Sequence, residues 1–278
     1  MNRTSIEWVK NPDGTQGYTW NPITGCLNGC EYCYARKLAN TRLKERYLAN
    51  DNVAEPDERI DFDMGANGIF TNPFYPRFWE DKIGEPLRGN RLGKGIFTCN
   101  MSDLFGIGIP EEWTNKVLNI ASLTPENRFY LLTKQPQNLT KFSPFPDNCW
   151  VGVTTTGEQQ MWNKAMFGLG QIQAKVKFLS LEPLLEHQAI YPSWLTLLGR
   201  PLIQWVIIGQ KTPIVAYEKP YWPKIEWVKE IVEACDKAGI PVFLKQNLWD
   251  CLYTYAWDDD IFWATDKAKL RQELPNRC

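Results

Sequence analysis

The sequence predicts an α/β fold, either a (β/α) barrel, complete or partial, or a doubly wound open sheet, and three observations carry that expectation. Short apolar runs recur along most of the chain, several of them are apolar at consecutive positions, and stretches with helical spacing lie between them. Consecutive apolar positions mark strands covered on both faces of a parallel sheet, because neither face of the pleat then meets water. Repeated strand-then-helix units close into a barrel or spread into an open sheet. The expectation adopted is the barrel, as a single domain over residues 1–278, with residues 247–278 an aromatic-rich C-terminal extension packed on it.

Taken in order, the strand candidates are Tyr18 to Asn21, which is weak, then Gly68 to Thr71, Gly95 to Asn100 and Phe129 to Thr133. Trp150 to Thr154, Lys177 to Leu181, Trp205 to Gly209 and Val242 to Lys245 complete the set. Residues 31–49 form a first candidate helix, with Tyr34 and Leu38, then Leu43 and Tyr47, four apart. Pro110, Glu111 and Glu112 open a second, since proline and acids suit a first helical turn, and Trp113, Val117, Ile120 and Ala121 follow at helical spacing. The clearest runs from Lys224 to Ala238: Ile225, Val228, Ile231, Val232 and Cys235 make its stripe, Gly239 suits the residue past its end, and Pro241 stops it.

Among 278 residues, 44% hydrophobic and 23% charged, the composition is that of a globular chain and not a disordered one. Thirty-one basic against 32 acidic residues leave a net charge of -1, which excludes an overall positive field for non-specific nucleic-acid binding. Two basic runs remain, Arg36, Lys37, Arg42, Lys44 and Arg46, then Arg77, Lys82, Arg88, Arg91 and Lys94; each reads as a solvated helix face or loop, or as one wall of a local groove. The N-terminus lacks an apolar signal core and no window is long and apolar enough to span a membrane, so a cytoplasmic location and no membrane partner are expected.

Three of the eight cysteines are grouped in Thr24-Gly25-Cys26-Leu27-Asn28-Gly29-Cys30-Glu31-Tyr32-Cys33. In a reducing compartment such grouping indicates metal ligation rather than disulfides. Thiolates are preferred ligands of iron–sulfur centres, Gly25 and Gly29 permit tight bends, and a helix beginning after Cys33 adds positive dipole character that favours thiolates. Three ligands without an evident fourth suit a centre that keeps one position open. The only histidine, His187, is remote in sequence, and Cys99, Cys149, Cys235, Cys251 and Cys278 are scattered. A structural zinc knuckle and a plain cysteine-rich loop are the competing readings.

Cys26-x3-Cys30-x2-Cys33, with Tyr32 before the last cysteine, resembles the signature of the radical S-adenosylmethionine (SAM) superfamily. The resemblance implies a TIM-like barrel of that superfamily's type. It also implies a [4Fe–4S] cluster on Cys26, Cys30 and Cys33, SAM on the fourth iron, and Tyr32 near its adenine. One electron from a donor such as flavodoxin or ferredoxin would cleave SAM to methionine and a 5′-deoxyadenosyl radical, which takes a hydrogen atom from the substrate.

The rest of the chain resembles a narrower group, phage-associated three-cysteine-motif proteins of uncharacterised function. The matching stretches include Glu7-Trp8, Thr19-Trp20-Asn21-Pro22, Met101-Ser102-Asp103-Leu104-Phe105, Leu132-Thr133-Lys134, Gly152-Val153-Thr154, Ser180-Leu181-Glu182-Pro183-Leu184-Leu185, Trp205-Val206-Ile207 and Lys245-Gln246. Where that group tends to carry Gly-Gly-Glu-Ser-Gly, this chain has Gly209-Gln210-Lys211-Thr212, an amide and a cation in place of a carboxylate. Phage association points to a nucleic-acid base or nucleotide as substrate.

In a parallel α/β architecture the chemistry lies beyond the C-terminal ends of the strands. The polar residues there, Asn100, Ser102, Asp103, Thr133, Lys134, Ser180, Glu182, Gln210 and Lys245, are the candidates for binding SAM. Strand-end caps or buried salt bridges are the alternative for each. Glu182, between Leu181 and Pro183, stands out because a buried carboxylate is costly without a partner. Cys99 reads as a hydrogen-atom donor or a small buried side chain. Tyr253, Tyr255, Trp257 and Phe262 of the tail cap the barrel or stack a base. A reading from another class is a non-catalytic nucleic-acid-binding module with a structural zinc or iron–sulfur site.

Overall fold

The apolar runs become buried strands of mostly parallel sheets. In a computed structural model, Cys149–Thr154 and Trp205–Ile208 are buried at every position, as two covered faces require. The structure describes residues 1–55, 65–88, 93–197, 200–213, 221–249, 251, 264–266 and 269–275. The chain divides into two compact units, Met1–Trp150 and Val151–Cys278.

The first unit holds β1 (Asn2–Arg3), β2 (Tyr18–Trp20), β3 (Ile23–Thr24), β4 (Arg77–Phe78), β5 (Gly95–Thr98) and β6 (Arg128–Thr133). Its main sheet runs β1-β2-β5-β6, with β1 antiparallel to β2 and the other neighbours parallel; β3 and β4 form a separate antiparallel pair. The helices are α1 (Tyr34–Asn40), α2 (Lys44–Leu48), α3 (Gly65–Thr71), α4 (Glu80–Ile83) and α5 (Glu111–Leu123). α5 is the crossover between parallel β5 and β6, and it buries Trp113, Val117, Leu118 and Ala121. Aromatic side chains fill this core: Trp8 meets Phe97 with ring centres 4.8 Å apart, and Trp20, fully buried, sends its indole N–H to the Lys82 carbonyl at 2.8 Å.

The second unit begins within β7 (Cys149–Thr154) and continues with β8 (Val176–Leu181), β9 (Thr196–Leu197), β10 (Arg200–Pro201), β11 (Trp205–Ile208), β12 (Val242–Leu244), β13 (Ala264–Asp266) and β14 (Lys269–Leu270). β7-β8-β11-β12 is the sheet order, with β11 parallel to both β8 and β12; β9 with β10 and β13 with β14 are short antiparallel pairs. Its helices are α6 (Gln159–Gln171) and α7 (Ile225–Ala238). α7 has the expected stripe, and Gly239 ends it in the left-handed conformation at φ 66°.

Three expectations change. The expected strand Gly68 to Thr71 is the end of α3. The single helix over 31–49 is two helices, because the chain turns at Thr41 and the Leu43 N–H reaches back to the Leu38 carbonyl. Arg77, expected on a solvated face, is 1% exposed. Its guanidinium donates to the carbonyls of Asn50, Phe70, Asn72 and Tyr75 at 2.8–3.1 Å, which satisfies the donors that burial takes from water. Arg91, Cys278 and the tail aromatics Tyr253, Tyr255, Trp257 and Phe262 lie outside the described residues. Among the described residues no helix is long and apolar enough to cross a membrane.

Candidate functional site

The thiol loop leaves β3 under tight steric control. Gly25 has φ 86°, and a Cβ there would stand 2.2 Å from the Tyr75 carbonyl oxygen, so only glycine fits. Its N–H donates to the Met101 carbonyl at 3.0 Å, and the Cys26 N–H donates to the Phe74 carbonyl at 2.9 Å. The four carbonyl bonds of Arg77 hold the stretch around Phe74 and Tyr75 that these contacts use.

Asn28 fastens the middle of the loop. Its side chain donates to Asp103 Oδ2 at 2.7 Å and accepts from Gln135 Nε2 at 3.0 Å, while its backbone N–H points at Cys26 Sγ at 3.4 Å. Asp103, 5% exposed, also accepts the N–H groups of Lys134 at 2.9 Å and Phe105 at 3.1 Å. Cys33 then caps α1, its sulfur accepting the Arg36 N–H at 3.4 Å. Cys26 and Cys33 pack against the cluster of Ala35, Ala39, Tyr47, Phe74 and Met101.

Cys26, Cys30 and Cys33 are thus half-exposed free thiols, whereas Cys99, Cys149, Cys235 and Cys251 are buried free thiols. Burial, then the nearby Asp103 carboxylate, pushes the Cys26 thiol up to about 12. Burial raises Cys30 as well, opposed by the Lys134 ammonium. For Cys26 and Cys30 burial thus favours the protonated thiol, and a bound cation would favour the thiolate.

The other candidates of the first unit gather on the same segments. Asn100 accepts from Asn21 Nδ2 at 2.8 Å and its carbonyl accepts the Tyr34 hydroxyl at 2.7 Å; the Ser102 hydroxyl donates to the Gly25 carbonyl. Thr133, 1% exposed, accepts the Gln135 N–H at 2.9 Å, and Lys134 Nζ lies 5.9 Å from the Tyr32 ring centre. Cys99 is 2% exposed, has φ 57°, and burial pushes its thiol up to about 12.

Ser180, Glu182, Gln210 and Lys245 belong to the second unit, where the places of Glu182 and Lys245 follow from strand register. Trp205 pairs with Phe178 and Ile208 with both Leu181 and Leu244, so the next rung beyond the strand ends is Glu182, Gly209 and Lys245. With no side chain at Gly209, where a Cβ would meet Lys245 Cδ at 2.9 Å, the Lys245 ammonium reaches the Glu182 carboxylate and the two form an ion pair. Asn247 holds the Gln210 backbone through bonds of 3.4 and 3.2 Å. The Ser180 hydroxyl and the Gln210 amide oxygen are buried with no partner among the described residues, which leaves two polar atoms for a ligand or water. His187 is elsewhere, exposed and 2.8 Å from Glu230.

The family model for a protein of unknown function (DUF5131) matches residues 3–258. The chain belongs to that family. No curated protein matches this DUF5131 chain. Among solved structures it is similar to a mutant of spore photoproduct lyase, at 12% identity and a TM-score of 0.46, over 88% of this chain and 81% of that one.

The donor set bears on what the DUF5131 loop can hold. Among the described residues no three His, Cys, Asp or Glu side chains lie close enough to share one ion. Thiolates around a single zinc, each about 2.3 Å from the metal, would lie roughly 4 Å from one another. Asn28, Gln135 and Arg77 are the site residues that sequence reasoning missed. Asn28 lay inside the motif, and Arg77, a lone cation in Phe74-Tyr75-Pro76-Arg77-Phe78-Trp79, carried a signal of burial.

Proposed function

We propose that the chain is a radical SAM enzyme whose Cys26, Cys30 and Cys33 hold a [4Fe–4S] cluster by three of its corners. The observation that carries the reading is the state of these thiols: free, half-exposed, on one braced loop at the exit of a strand pair, with backbone N–H groups aimed at two of the sulfurs. N–H groups directed at sulfur stabilise thiolates and tune a cluster's potential. When bound, the cluster and SAM would supply a one-electron cleavage to methionine and a 5′-deoxyadenosyl radical that takes a hydrogen atom from substrate.

The protein's own part is binding and shielding, within one barrel-type domain. Asn28 and Asp103 hold the loop, and Lys134 places positive charge near Cys30. In the first unit Tyr32, Asn100, Ser102, Asp103, Thr133 and Lys134 are the groups assigned to SAM in this reading; in the second unit the assigned groups are Ser180, Glu182, Gln210 and Lys245. Ser180 and Gln210 are the best supported, since each has a buried polar atom with no partner among the described residues. Cys99 is the proposed hydrogen-atom donor, and a nucleic-acid base or nucleotide the proposed substrate.

Anaerobic reconstitution with iron and sulfide tests the reading. A brown protein that releases 5′-deoxyadenosine from SAM on dithionite addition, and loses both properties on Cys30→Ala, is the expected result. A colourless protein holding one zinc and indifferent to SAM would refute it and favour a non-catalytic module.

A further inference from the structure

We infer that the basic surface of α1 and α2 docks a small acidic one-electron carrier protein, which delivers its electron at the thiol loop. The inference rests on the radical SAM reading, which needs one electron per cleavage, and it adds where that electron enters.

Five cations, Arg36, Lys37, Arg42, Lys44 and Arg46, fall within residues 34–48, against a single carboxylate, Glu45; Glu31 lies just before them. Lys37, Arg42, Lys44 and Arg46 are exposed and Arg36 half-exposed. Among the described residues none of the five forms an ion pair. Three other surface cations are paired, Lys116 with Glu112, Lys141 with Glu111 and Arg271 with Asp236, and those without an ion pair among the described residues, such as Lys164 and Lys175, are spread along the chain; the five are set apart by their density. Two of the three guanidinium groups lie over aromatic rings, Arg36 at 5.7 Å from the Phe74 ring centre and Arg46 at 5.7 Å from that of Trp79. Such stacking orients a guanidinium without neutralising it. The surface therefore presents a local excess of positive charge, two of its guanidinium groups lying over aromatic rings, on a chain whose net charge is -1.

Its position selects the partner. The Arg36 N–H touches Cys33 Sγ at 3.4 Å, so α1 starts on the thiol loop itself. Seven helical residues rise about 10 Å, which keeps all of α1 close to that sulfur. An acidic carrier seated here would be steered by charge and stop beside the electron acceptor. The electron balance is simple: the reduced carrier loses one electron and the cluster gains it. A nucleic-acid strand fits less well, because the one strongly exposed aromatic at the loop, Tyr34 at 47%, has its hydroxyl tied to the Asn100 carbonyl.

The test is a titration of reconstituted full-length protein with flavodoxin, followed by tryptophan fluorescence at low and high salt, for wild type and the double variant Arg42→Glu, Lys44→Glu. Both positions are exposed and outside the proposed binding machinery, and circular dichroism checks the fold. The expected result is wild-type binding that weakens with salt, a Kd at least about tenfold higher in the variant, and equal dithionite-driven 5′-deoxyadenosine release by both. Equal affinity for the two proteins, or no wild-type binding at low salt, would overturn the proposal. Binding of a single-stranded oligonucleotide that the variant loses, with flavodoxin inert, would also overturn it, in favour of a substrate surface. Failure of the radical SAM reading shows separately, as absence of dithionite-driven cleavage in the wild type, and would remove the electron-carrier role even if flavodoxin bound.

Discussion

Asn28 Nδ2 donates to Asp103 Oδ2 at 2.7 Å, joining the centre of the thiol loop to the turn that follows β5. The same carboxylate takes the Lys134 N–H at the exit of β6, so one buried anion aligns the ends of two parallel strands with the loop. Asn28→Ala removes the clasp and leaves Asp103 with fewer donors. Hydrogen bonds to a charged group are worth about 2 kcal/mol. The expected outcome is a folded protein by circular dichroism that retains several-fold less iron after desalting than wild type.

Gly25 and Gly29 both have positive φ, 86° and 75°, but only Gly25 is walled in. Gly25→Ala drives a methyl group into the Tyr75 carbonyl and is expected to cost about 3 kcal/mol or more. Gly29→Ala meets open space, and its expected cost is the left-handed penalty of about 1 kcal/mol. Urea midpoints of the two variants check the contrast.

Lys134 opposes the effect of burial on Cys30. Lys134→Met is expected to raise the Cys30 pKa in cluster-free protein. Alkylation by iodoacetamide, followed by peptide mass analysis at a series of pH values, should show slower Cys30 labelling in the variant at every alkaline pH.

The Glu182–Lys245 pair is part-buried, with side chains 25% and 14% exposed. Lys245→Met strands a carboxylate at the end of β8 and is expected to cost about 1–3 kcal/mol. Adding Glu182→Gln should recover part of that loss, because no unpaired charge then remains. A double-mutant cycle by urea unfolding reads the coupling.

Alkaline stability follows from the buried thiols. Burial pushes Cys99, Cys149 and Cys235 from 9.0 to about 12. Their protons leave the unfolded chain first, so their contribution is intact below pH 9 and is lost as pH rises towards 12. Tyr47, also pushed to about 12, adds to the loss above its ordinary value of 10.0. Burial, then Arg46, lowers Lys82 to about 8, and it acts in the opposite sense, its contribution being present above pH 10.5 and lost as pH falls through 8. Cys26 and Cys251, pushed to about 12 and about 11, add to the loss, while Lys177, lowered by burial, acts with Lys82; five thiols and a phenol against two amines predict a urea midpoint that falls continuously between pH 9.5 and 11.

Much of this fold was legible because two-sided burial leaves a mark in sequence. Trp205-Val206-Ile207-Ile208 is apolar at every position and is a strand, and the α7 stripe with Gly239 behind it became the helix it predicted. Local sequence has a limit, shown by one tetrapeptide that occurs twice. Gly95-Ile96-Phe97-Thr98 is β5, every residue buried, while Gly68-Ile69-Phe70-Thr71 ends a helix with Phe70 54% exposed. Identical propensities met different surroundings, and packing decided. The site divides in the same way. Three closely spaced cysteines and two glycines announce a loop that binds something, but the clasp of Asn28 to Asp103 and Gln135 joins positions 75 and 107 residues apart, which no periodicity reveals. Arg77 misled because its charge suggested solvent, whereas four carbonyls replace that solvent.

The central claim is best tested by low-temperature electron paramagnetic resonance of the reconstituted, dithionite-reduced protein with and without SAM. The account predicts the signal of a one-electron-reduced [4Fe–4S] cluster that changes shape when SAM is added, since one iron is left without a protein ligand. A spectrum that SAM leaves untouched, or the absence of any iron–sulfur signal, would contradict it.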